Sequence, residues 1–162
     1  VLLGLLGGVI PTEISRISTK NIHLSGEHPY VAFLNKGKTE HRKRVVPIVS
    51  GVDTCRHWLD NAVNWANDTS PSNVGACIGS FVKKLTGNPS LSIYSLRHTF
   101  KMNATQAEVP VMAMNAIAGW TGGYSGSREM LAYGSAALEG TAQLEYLFKA
   151  SVKVHKRLME NI

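Results

Sequence analysis

A pair of short β-rich runs is the feature that most confines this chain. Tyr30 to Asn35 (YVAFLN) and Arg44 to Val49 (RVVPIV) carry branched and aromatic residues, and Lys36 to Lys43 (KGKTEHRK) between them is polar and basic. That is the pattern of an antiparallel hairpin with a basic turn. Pro47 lacks the amide a central strand must donate, so the second run is expected at a sheet edge. Elsewhere the apolar residues recur at helical spacing. Gly51 to Asn67 carries Val52, Cys55, Trp58, Leu59, Ala62, Val63 and Ala66 on one stripe. Val74 to Leu85, Ile93 to Gln106, Pro110 to Ala118 and Gln143 to Ile162 read as further helices. The Ser and Asn residues of Asp68 to Asn73 are candidate caps, Thr86-Gly87-Asn88-Pro89 is a stop signal, and Gly119 suits a C-terminal cap. A helix from about Leu2 through Ser18 is also expected, strained in its middle by Pro11. The expected fold class is α+β, mostly α-helical with a small antiparallel β-sheet. At 162 residues, one domain covering the whole chain is expected.

With 44% hydrophobic and 17% charged residues the chain is a folded globular sequence, not a disordered one. Its 17 Lys plus Arg against 11 Asp plus Glu leave a net charge of +6, which favours a polyanionic partner. Cys55 and Cys77 are too few for a disulfide framework and form no CxxC pair, so a reducing, cytoplasmic setting is expected. The six histidines show no metal-site spacing, and no structural metal is expected. Val1 to Ile10 (VLLGLLGGVI) is uncharged but only about half of the roughly 20 residues that span a bilayer, so no membrane association is expected. It reads as a core helix cut near its start, with the chain beginning at a domain boundary inside a longer protein.

Three constellations could carry chemistry. Lys36, Lys38, Arg42, Lys43 and Arg44 crowd the hairpin turn against one acid, Glu40. Such cations suit phosphate oxygens, although a solvated charged hairpin would look the same. A P-loop is excluded, because Ala32 stands where its first glycine is required. In Ser95-Leu96-Arg97-His98-Thr99-Phe100 helical geometry sets Arg97 and His98 about 100° apart while Leu96 and Phe100 share the core side. Gly119-Trp120 follows a helix, and Tyr133 stands in Met130-Leu131-Ala132-Tyr133-Gly134. Alone, each would more often be surface or core decoration.

In this order, the pieces resemble the catalytic domain of the tyrosine recombinases, the phage integrase family, over nearly the whole chain. The most specific match is Tyr94-Ser95-Leu96-Arg97-His98-Thr99-Phe100, which is similar to the family's second arginine box. The resemblance implies the tyrosine recombinase catalytic-domain fold and a site-specific recombinase or integrase that breaks and rejoins double-stranded DNA. Arg97 would clamp the scissile phosphate, and Lys36 or Lys38 would protonate the leaving 5′ oxygen. His98 and Tyr94 would donate hydrogen bonds, Trp120 would position a phosphate oxygen, and Tyr133 would form a 3′ phosphotyrosine. Lys36, Lys38, Arg42, Lys43 and Arg44 would bind DNA, a homo-oligomer would assemble on it, and no cofactor is implied because the phosphotyrosine stores the bond energy. The chemistry is sensible: a phenol of pKa about 10 attacks a phosphodiester only where cations and proton donors help.

Two positions depart from the family. Its first box reads roughly G-L-R-x-S-E, and here Gly8-Val9-Ile10-Pro11-Thr12-Glu13 puts Ile10 at the arginine. Tyr94 replaces the His of many members. A catalytically degenerate domain that binds DNA or a partner protomer without cutting is therefore the alternative. An unrelated RNA-binding protein fits less well, since the aromatic strand pair of an RRM is missing. Leu144, Leu147, Phe148, Leu158 and Ile162 form an apolar stripe on the last helix that would dock either on its own core or on a neighbouring protomer.

Overall fold

A computed structural model describes residues 7–33, 44–120 and 141–160. In chain order it contains α1 (Pro11–Ile14), a 3-10 turn (Thr19–Asn21), β1 (Ile22–His23), β2 (Tyr30–Phe33), β3 (Arg44–Pro47), α2 (Val52–Asn67), α3 (Pro71–Thr86), α4 (Ile93–Gln106), α5 (Val111–Ala118) and α6 (Thr141–Met159). The class is α+β: mostly helical, with one three-stranded antiparallel sheet in the order β1-β2-β3.

The two β-rich runs pair as expected, Tyr30 against Pro47 and Phe33 against Arg44. Pro47 lies on β3, an edge of the described sheet. β1 is too short to show in sequence, only Ile22 opposite Val31 and His23 opposite Tyr30. Its ladder exists because β2 offers a partner. Local signals set the helix bounds. The Ser70 hydroxyl accepts from the Asn73 amide at 3.3 Å, with Pro71 at the first helical position. At the start of α4, the Ser92 amide donates to the Ser95 hydroxyl at 2.9 Å. α5 closes on Gly119 at φ 63°, with the Trp120 amide returning to the Asn115 carbonyl at 3.1 Å.

The expected continuous helix through Ser18 is corrected. Residues 8–10 are not helical, Gly8 sits at φ 58°, and Pro11 opens a separate short helix. A proline tolerates the first turn of a helix but not its interior, so the strain is relieved by a break. The Glu13 carboxylate then accepts from the Ile10 amide at 2.9 Å and caps the new helix.

Two main clusters form the interior. Val9, Ile17, Val31, Phe33, Val46, Ile48, Val63 and Ala66 bury the sheet against α2 and the N-terminal loop. Phe100, Ala104, Val109, Ala113, Met114, Ile117, Leu147, Ala150 and Val154 join α4, α5 and α6. The smaller group of Val82, Ile93 and Leu96 ties α3 to α4. α6 therefore docks in cis, on α4, α5 and β3. Its buried stripe is Leu147, Ala150, Ser151 and Val154, whereas Leu144, Phe148 and Leu158 are half-buried at its margins and Ile162 lies outside the described residues. Among the described residues, no helix is long and apolar enough to cross a membrane.

Candidate functional site

The site is built where three segments meet: the Gly8–Ile10 loop, the outward side of α4, and the residue just beyond α5. α4 carries Phe100 into the core at 0% exposure, which turns His98 and Lys101 outward and leaves Arg97 half-buried at the margin of the core side. Half-buried Arg97 donates to the Gly8 carbonyl, and its guanidinium lies 4.8 Å from the centroid of the Trp120 ring. The Lys101 ammonium lies 5.9 Å from that centroid. Phe100 meets the same indole with centroids 5.9 Å apart and rings inclined at 52°. Trp120 is thus held by a core aromatic and flanked by two cations, an arrangement that its negative ring face favours.

Arg97 and Trp120, which lie well apart in sequence, are brought into contact. His98 is exposed and makes no hydrogen bond or ion pair among the described residues. Tyr94 is 57% exposed, one turn before His98 on the outer side of α4. Lys36, Lys38, Arg42 and Lys43 fall outside the described residues, as do Tyr133 and Tyr124.

Arg44 requires a correction. Expected as a DNA-binding cation at the end of the basic turn, it is 1% exposed and points inward. Its Nε donates to Glu13 Oε1 at 3.1 Å and its Nη2 to Glu13 Oε2 at 2.7 Å, a bidentate pair. Its Nη1 reaches the Gly7 carbonyl at 2.8 Å and also the Ile117 carbonyl near the end of α5. The guanidinium lies 5.4 Å from the Phe33 ring centroid. Burial is tolerable because every direction of the fork meets an acceptor or an aromatic face. Arg44 is therefore a staple: it joins the loop before α1, strand β3 and the end of α5, and so sets where Gly8 and Trp120 stand. Sequence reasoning counted it with its basic neighbours, although Val45 and Val46 immediately after it already mark an inward strand.

Lys101 was also missed, yet its place one turn after Arg97 was readable from helical spacing. The Glu145 carboxyl is held below its ordinary value by a hydrogen bond and the charge of Lys149, with Nζ to Oε1 at 2.5 Å, but this pair is on the exposed side of α6. The described residues contain no group of three or more His, Cys, Asp or Glu able to hold a metal ion. Chemically, the arrangement sets a half-buried guanidinium and an exposed ammonium over one indole. Comparison of the chain with models of known families, with curated proteins and with solved structures finds no match.

Proposed function

We propose that this chain is a catalytic-type domain of the tyrosine recombinase family that binds double-stranded DNA and breaks and rejoins a strand through a 3′ phosphotyrosine at Tyr133. The observation that carries this reading is the contact of Arg97 with both Trp120 and the Gly8 carbonyl, since the resemblance assigns these three sequence segments to one phosphate site. In the proposed reaction the Tyr133 phenolic oxygen forms a bond to phosphorus and gives up its proton to solvent water, while the bond from phosphorus to the 5′ oxygen breaks. Lys36 or Lys38 delivers a proton to that leaving oxygen, and Arg97 and Trp120 hold the non-bridging oxygens. His98 and Tyr94 add hydrogen bonds at the rim. Lys36, Lys38, Arg42 and Lys43 track the DNA backbone, and a homo-oligomer assembles on the DNA.

The second reading, a degenerate domain that binds DNA without cutting, is favoured by one observation. Ile10 stands in the loop that meets Arg97 and brings no charge there. The loss of one preorganised donor costs on the order of 3 to 4 kcal/mol of transition-state stabilisation.

A suicide substrate, duplex DNA nicked beside the scissile position, separates the two readings by trapping any covalent protein–DNA adduct on a denaturing gel. The cutting reading expects an adduct that Tyr133→Phe abolishes and that Tyr124→Phe, at the tyrosine in the Gly-rich run Thr121 to Ser127 (TGGYSGS), largely preserves. Absence of adduct in the parent chain and its appearance in Ile10→Arg establishes the degenerate reading. Duplex binding that is insensitive to salt overturns both, because backbone neutralisation releases counterions in proportion to the phosphates contacted.

A further inference from the structure

We propose that Lys101 is a second phosphate-gripping cation of the site, binding a DNA phosphodiester jointly with Arg97; this rests on the DNA-binding reading above. Lys101 lies one helical turn after Arg97, so the two side chains leave α4 from the same side. Both cationic groups reach the Trp120 ring, at 4.8 Å and 5.9 Å from its centroid. Like charges at this spacing repel and cost a helix a few tenths of a kcal/mol. Lys101 is exposed, and among the described residues it makes no ion pair.

An anion placed between the two cations offsets that repulsion and turns the pair into a grip. The indole helps by drawing both stems inward before any ligand arrives, which reduces the ordering cost of binding. The rest of the surroundings explains why the second charge comes from α4. The loop against Arg97 contributes the Gly8 carbonyl and apolar Ile10, and Arg44 is committed to Glu13. Lys101 adds, from the same side of α4, a charge that this loop does not. Exposed His98 and Tyr94 continue the same side of α4, where a polyanion running along the helix would meet them.

The test compares the parent chain with Lys101→Met, Lys101→Arg, Arg97→Gln and Lys20→Met, all checked for folding by circular dichroism. Methionine keeps a long unbranched side chain without the charge, and Lys20 on the 3-10 turn controls for net charge alone. Affinity for a fluorescent duplex oligonucleotide is followed by anisotropy over a salt series. In parallel, inorganic pyrophosphate is titrated against tryptophan fluorescence, with Trp120→Phe assigning the signal.

Lys101→Met is expected to weaken duplex binding roughly tenfold and to lower the slope of log affinity against log salt by about 0.9, the contribution of one phosphate. Lys101→Arg restores both, and Lys20→Met changes neither. If Lys101→Met matches Lys20→Met while Arg97→Gln loses affinity, the Lys101 assignment is overturned and the DNA reading stands. If the parent ignores duplex DNA while pyrophosphate still changes Trp120 emission in a Lys101-dependent way, the DNA reading fails, and with it the phosphodiester as ligand.

Discussion

Replacing Glu13 by Gln tests the inner staple of the fold. The substitution preserves size but sets an amide nitrogen against a guanidinium that is 1% exposed, while the Glu13 side chain is 12% exposed. Two charge-assisted bonds, at 3.1 and 2.7 Å, are lost or reduced to one neutral bond. Removing one partner of a buried pair costs about 3 to 5 kcal/mol, because a charge stays behind without compensation. Glu13 retains some contact with water, so the lower end, about 3 kcal/mol, is expected. For a chain of this size that corresponds to a fall in Tm of roughly 6 to 12 °C. Arg44→Met should cost at least as much, since it also leaves the Gly7 and Ile117 carbonyls without their donor. The double variant Glu13→Gln with Arg44→Met should be more stable than the sum of the single losses by about 2 kcal/mol or more, as charge and counter-charge leave together. Urea unfolding followed by far-UV circular dichroism reads all three. A Glu13→Gln loss below about 1 kcal/mol, or strict additivity in the double variant, would refute the buried-staple account and return Arg44 to the surface.

Gly119→Ala combines a backbone at φ 63° with a new Cβ at 2.9 Å from Arg44 Cδ and 3.1 Å from its Nε. Gly87→Ala meets nothing within 4 Å at φ 68°. The second should lose about 1 kcal/mol from the left-handed conformation alone and the first at least twice that, with Trp120 emission altered; equal losses would mean that Arg44 does not press on the end of α5. Ser151 is 0% exposed, and its hydroxyl has no hydrogen-bond partner among the described residues. Ser151→Ala should therefore leave Tm unchanged or raise it by a few degrees, and a clear drop would reveal a partner for that hydroxyl.

The helix ends were legible in sequence because caps are local. Gly87 after Thr86 and Gly119 before Trp120 end α3 and α5 within one turn, and α4 spans the expected Ile93 to Gln106, whereas α3 begins at Pro71, three residues before the expected Val74, because Ser70 caps it. The strand pair was legible for a similar reason, since residue type and Pro47 report on the ladder itself. At the site, the core side of Leu96 and Phe100 and the 100° between Arg97 and His98 followed from helical spacing, with Phe100 buried and His98 exposed; the place of Arg97 was decided by its neighbours. The seat of Arg97 on Trp120 requires α5 to end against α4. The break before Pro11 is local in origin, set by the proline and by the Glu13 carboxylate accepting from the Ile10 amide, whereas the hold of Arg44 on the same carboxylate arises only once β3 lies beside the N-terminal loop. The stripe of α6 shifted to Leu147, Ala150, Ser151 and Val154 because small residues admit close approach to α4 and α5, a choice made by the receiving surface and not by hydrophobicity along the helix. Arg44 shows the division most plainly: its charge and its place on a strand are properties of the chain, but whether that charge meets water or Glu13 is decided by segments distant in sequence, since only tertiary contact can bring enough acceptors together to offset the loss of hydration.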